Sequence, residues 1–101
     1  MNYRTIFLQQ KKIIEQQFKD RCIISENGGM FFITADFLAT IKNIKEADQW
    51  VLDMNQTPIY IQNIANFYDR AYNVYYTALA DFGKSFNQLK SQRSVESILE
   101  I

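Results

Sequence analysis

The chain has 101 residues, eleven basic and eleven acidic groups for a net charge of zero, no histidine and one cysteine. That length holds one small domain, and 48 % hydrophobic content supports a packed core over disorder. Without histidine there are no Ser/His or Cys/His nucleophile pairs and no His-based zinc site. One cysteine excludes thiolate clusters, and zero net charge argues against a nucleic-acid footprint.

Residues Tyr3 to about Arg21 read as a helix. Tyr3, Phe7, Ile14 and Phe18 recur at helical spacing, Ile6 and Ile13 widen the stripe, and Gln and Lys fill the other side. The pattern then shortens. Cys22-Ile23-Ile24 and Met30-Phe31-Phe32-Ile33 are β-prone runs around Ser25-Glu26-Asn27-Gly28-Gly29. Asn-Gly signals a type I′ hairpin, which needs positive φ at both central residues. Gly29 adds a further permissive position, read as a bulge. Cys22 opens an apolar run and reads as a small buried hydrophobe.

Thr34 is placed to cap a second helix, with Phe37, Leu38, Ile41 and Ile44 on its inner face and an end near Lys45 or Glu46. A second hairpin follows, from Gln49-Trp50-Val51-Leu52-Asp53-Met54 through a turn at Asn55–Pro58 to Ile59-Tyr60-Ile61. Pro58 cannot donate to a ladder and belongs at the turn or the strand start. Trp50 reads as a core anchor in preference to an interface residue.

From Gln62 or Asn63 to Leu89 runs a long amphipathic helix carrying seven of the fifteen aromatic residues. Ile64, Phe67, Tyr68, Ala71, Val74, Tyr75, Ala78, Leu79, Phe82, Phe86 and Leu89 share one side at about 100° per residue. With Tyr72 and Tyr76 added the arc reaches roughly 200°, wider than the usual stripe of about 100°. The excess lies in Tyr68, Tyr72, Tyr76 and Leu79, the candidate partner-binding edge; the competing reading buries this edge inside the domain. Gly83 in the helix interior reads as a kink or the close approach of another backbone, and Lys84, Lys90 and Arg93 as complements to the helix C-terminal dipole.

The order helix, hairpin, helix, hairpin, long helix implies an α+β domain over residues 1–93. The two hairpins are expected to form a small antiparallel sheet packed by the three helices. Residues 94–101 read as a tail, with Val95, Ile98, Leu99 and Ile101 as its docking side chains. A basic first helix against the acidic stretch from Cys22 to Tyr60 suggests that the two lean together. No apolar run is long enough for a membrane span and no signal-peptide core follows Met1, so a cytoplasmic chain is expected. No catalytic residue, metal or cofactor is expected. An enzymatic reading would need carboxylates converging in a cleft, and Asp48 and Asp53 are the nearest pair.

Three segments carry a resemblance: Asn27-Gly28-Gly29 before Met30-Phe31-Phe32, Leu52-Asp53 leading to Pro58-Ile59, and the helix around Ala71-Tyr72-Asn73. In these the chain resembles small proteins encoded by T4-like phages of marine bacteria. The resemblance implies a phage virion, assembly or accessory protein, in the host cytoplasm or in the particle, and implies no catalytic residues. The ending Ser94-Val95-Glu96-Ser97-Ile98-Leu99-Glu100-Ile101 is similar to the clamp-binding tails of T4-like late-transcription proteins, with Ile98-Leu99 where those tails carry an aromatic. The leading expectation is therefore a non-enzymatic protein–protein interaction module, with a protein partner or a second copy as ligand. The alternative is a transcription or replication regulator docking on a polymerase or sliding clamp through its tail.

Overall fold

The computed structural model describes the backbone of residues 3–44 and 49–99, with side chains for residues 4–44 and 49–91. The element order is α1 (Tyr3–Arg21), β1 (Ile23–Glu26), β2 (Gly29–Phe32), α2 (Ala35–Lys42), β3 (Gln49–Leu52), β4 (Pro58–Ile61) and α3 (Ile64–Leu99). This is an α+β fold in the expected order.

The first hairpin follows from its turn chemistry. Asn27 (φ 48°) and Gly28 (φ 84°) supply the two positive φ angles of a two-residue type I′ loop. Glu26 pairs with Gly29, Ser25 with Met30 and Ile24 with Phe31. This ladder has no bulge at Gly29, which is required there for a different reason. A Cβ on Gly29 would lie 2.5 Å from Cγ1 of Ile59, so the glycine lets the second hairpin pack against the first.

The hairpins do not merge into one sheet. Each stays two-stranded, with β3 paired to β4 from Gln49↔Ile61 to Leu52↔Pro58. They are joined at their margins instead. Met30 directs its N–H to Oδ2 of Asp53 (3.1 Å) and accepts the Met54 N–H (2.8 Å), while Asn27 Nδ2 donates to the Tyr60 carbonyl (3.0 Å).

Thr34 caps α2 as expected, its Oγ1 accepting the Phe37 N–H at 3.0 Å, and Asn43 closes the helix. Asn63 caps α3 through Oδ1, which accepts the Asn66 N–H at 3.0 Å. α2 ends at Lys42, short of the expected Lys45 or Glu46, because the Asn43 N–H closes the last turn onto the Thr40 and Ile41 carbonyls. The inner-face role of Tyr3 lies outside the described residues.

The core gathers Cys22, Ile24, Phe31 and Ile33 from the first hairpin region with Leu38 and Ile41 of α2. Ile59 and Ile61 of β4 and Ile64, Phe67, Ala71 and Ala78 of α3 complete it. Phe31, Phe37 and Phe67 meet with ring centroids 5.0–6.1 Å apart.

α3 is longer than expected. It passes Leu89 and continues to Leu99, because no glycine or proline interrupts it after Gly83 and polar residues are compatible with a helix. The first half of α3 covers the core, while the stretch from Tyr75 to Leu89 packs along α1. Phe18 stacks on Phe82 at 4.9 Å and tilts against Tyr75 at 6.0 Å, and Arg21 donates to Asp81 at 2.7 Å. The expected lean of α1 on the acidic middle is therefore not seen at Arg21, which pairs with α3 instead. The result is elongated, 60 × 21 × 16 Å with a radius of gyration of 18.2 Å, against about 13 Å for a compact chain of about this length.

Candidate interaction surfaces

α3 carries two seams. The inner one, through Ile64, Phe67, Ala71, Ala78 and Leu89, is buried. Turned by roughly one residue's rotation, about 100°, the outer seam follows Tyr72, Tyr76, Leu79, Gly83 and Phe86, at spacings of four, three, four and three. Tyr72 and Tyr76 are each 44 % exposed and Leu79 is 38 % exposed. The domain does not bury this edge. Of the four residues expected there, Tyr68 alone packs half-buried against the core.

The exposed rings are ordered by one another. Tyr68 and Tyr72 lie 5.9 Å apart, Tyr72 and Tyr76 4.5 Å, and Tyr75 meets Tyr76 edge-on at 5.0 Å. Side chains held by neighbours lose less rotamer freedom when a partner docks, so this surface is preorganised. Gly83 has no heavy atom within 4 Å of where its Cβ would be. The close backbone approach expected there does not occur among the described residues.

A second apolar surface lies on the outer face of the hairpins. Trp50 is 67 % exposed, so it is not the core anchor expected from its size, and Leu52, Met54, Tyr60 and Met30 are also exposed. Strand alternation explains the correction. Ile59 and Ile61 point inward, Tyr60 therefore points outward, and the register places Trp50 opposite it with ring centroids 5.4 Å apart. The inward isoleucines were the available sequence signal, but the pairing of Trp50 with Tyr60 depends on the length of the Asp53–Thr57 loop.

The tail residues Val95, Ile98 and Leu99 belong to a segment whose backbone continues α3, but their side chains, and all of Ile101, lie outside the described residues. Because α3 reaches Leu99, Lys84 and Lys90 stand well before its last turn and do not serve its C-terminal dipole. The Arg93 side chain lies outside the described set.

Asp53 and Arg70 are committed to the fold. Asp53 is 6 % exposed. Its Oδ1 accepts the N–H groups of Asn55 and Thr57, both at 2.9 Å, and its Oδ2 that of Met30. The Thr57 N–H leads in holding its carboxyl below the ordinary range; burial opposes this, and Met30 and Asn55 assist. Asp48, its suggested catalytic mate, lies outside the described residues.

Arg70 faces a polar recess lined by Gln62, Asn63 and Asn66, but it donates to Glu26 and to the Ser25 carbonyl. Burial raises the Cys22 thiol against a weaker lowering by Arg21, which disfavours a thiolate. Among the described residues no His/Cys/Asp/Glu group could hold a metal ion, and no helix is long and apolar enough to cross a membrane.

No protein-family model, curated protein or solved structure matches the chain.

Proposed function

We infer that the chain is a non-enzymatic protein–protein interaction module acting through the outer seam of α3, with Tyr72, Tyr76 and Leu79 as its anchors and Tyr68 as their support. The observation carrying this reading is the exposure of a regularly spaced, mutually ordered aromatic row on a helix whose inner seam is already filled. Tyrosine suits an interface because it offers a large apolar ring and a hydroxyl at little conformational cost. The non-enzymatic part is supported by the lack of histidine and by the engagement of both Asp53 oxygens with backbone donors. The resemblance of three segments to T4-like phage proteins favours a virion or assembly role for the module.

A photo-cross-linking amino acid at position 76, introduced in the cell that makes the chain, tests the reading. One defined protein adduct, of itself or of another chain, is expected, and Leu79→Arg should abolish it. If position 76 gives only the uncross-linked monomer, the reading fails.

A further inference from the structure

Resting on the reading of the outer seam as an interface, we propose that its occupant is a second copy of this chain, with the two α3 helices packed antiparallel about a two-fold axis beside residues 80–82. Three observations select this occupant. The first is spacing: Tyr72, Tyr76, Leu79, Gly83 and Phe86 alternate steps of four and three, the spacing that lets one helix follow another.

The second is charge. Between Asp69 and Lys90 the outer seam of α3 follows Tyr72, Tyr76, Leu79, Gly83 and Phe86, with Asn73, Ala80 and Asn87 beside it and no charged group within it; Lys84 borders it about 20° beyond Asn73. An acid stands at one end of this neutral strip and, at the other, a base whose Nζ lies 5.9 Å from the ring centroid of its own Phe86. Antiparallel pairing brings each Asp69 within about one helical turn of the second copy's Lys90, twice by symmetry. A parallel pair would set acid against acid and base against base.

The third is shape. In the antiparallel register that places Tyr76 against Phe86 of the second copy, Leu79 faces Gly83 in both directions. Gly83 costs its helix about 1 kcal/mol relative to alanine, and among the described residues nothing occupies the space over it. A leucine from the opposing helix fills that space and allows close approach of the backbones.

The seam is short, roughly 20 Å of helix at 1.5 Å per residue, and falls below the about 800 Å² per partner of a standard interface. The pair is accordingly weak and depends on concentration.

Sedimentation equilibrium over about 1 µM to 1 mM, the range that brackets weak association, should show a mass rising toward twice that of one chain. Asp69→Lys and Lys90→Asp should each weaken the association by about threefold to tenfold, as expected for two exposed charge pairs. Combining them should restore it. In a Cys22→Ala background, Ala80→Cys should form a disulfide dimer with itself. Asn73→Cys should link to Asn87→Cys and not to itself.

A monomer throughout the range overturns self-pairing, as does a disulfide of Asn73→Cys with itself, or single charge reversals without effect. If the chain is monomeric while position 76 cross-links to a different protein, only the self-pairing inference is lost. If it is monomeric and position 76 cross-links to nothing, the interface reading fails as well.

Discussion

The Met30 amide of the first hairpin donates to Oδ2 of Asp53 in the second, at 3.1 Å. Sequence separates these residues by more than twenty positions, and the bond joins two strand pairs that share no ladder. Asp53 also organises its own loop by accepting the Asn55 and Thr57 N–H groups. One carboxylate thus shapes a turn and docks one hairpin on the other.

The linkage sign for Asp53 follows from its lowered pKa. A carboxyl held below its unfolded value contributes stability that is fully present above the unfolded pKa of about 3.9. That contribution is lost as pH falls through the lower folded value. Urea midpoints measured from pH 7 down to about pH 2 should therefore fall at the acid end. Asp53→Asn should be less stable at pH 7 and should show a flatter acid limb, because the amide nitrogen cannot accept the backbone donors.

Gly29→Ala should destabilise the chain by about 1–3 kcal/mol, the usual cost of overpacking. The new Cβ meets Cγ1 of buried Ile59, which lies near the backbone and cannot swing aside. Denaturation of Gly29→Ala, Ile59→Ala and the double variant should show non-additivity, with the double costing less than the sum. Additive costs would mean that the two residues do not touch.

Rings should hold α1 to α3 more strongly than charge does. Phe18 is sandwiched with Phe82 and Tyr75, and Phe18→Ala should cost about 2–4 kcal/mol, somewhat below a fully buried phenylalanine. The Arg21–Asp81 pair is about half exposed on both sides, so Arg21→Ala should cost less than about 1 kcal/mol. Thermal melts of both variants at low and high salt would rank them, and only the arginine contribution should weaken with salt.

Trp50→Thr should cost at most about 1 kcal/mol, the scale of one cross-strand pair, whereas Phe31→Ala should cost about 3–5 kcal/mol. Trp50 is 67 % exposed and touches Tyr60 on the outer face, while Phe31 is buried between hairpin and helices. Chemical denaturation of the two variants distinguishes a surface tryptophan from the core anchor that its size alone suggests.

The elements whose causes are local are legible in the sequence. Asn27-Gly28 specified its turn through positive φ, Thr34 and Asn63 capped their helices through side chains within three residues, and helical periodicity marked the stripe of α3. The sequence also singled out the Tyr72, Tyr76 and Leu79 flank as surplus to a single core. Whether that surplus is covered depends on which other elements reach it, and only the tertiary structure decided that α1 and the hairpins leave it open.

The role of Gly29, the outward face of Trp50 and the bond from Met30 to Asp53 likewise depend on register and on how two hairpins meet. Those relations are set by contacts between residues far apart in the chain, which no local period or turn preference encodes. The end of α3 is local in the other sense: no glycine or proline stands after Gly83, and the helix runs on to Leu99 past the expected end at Leu89.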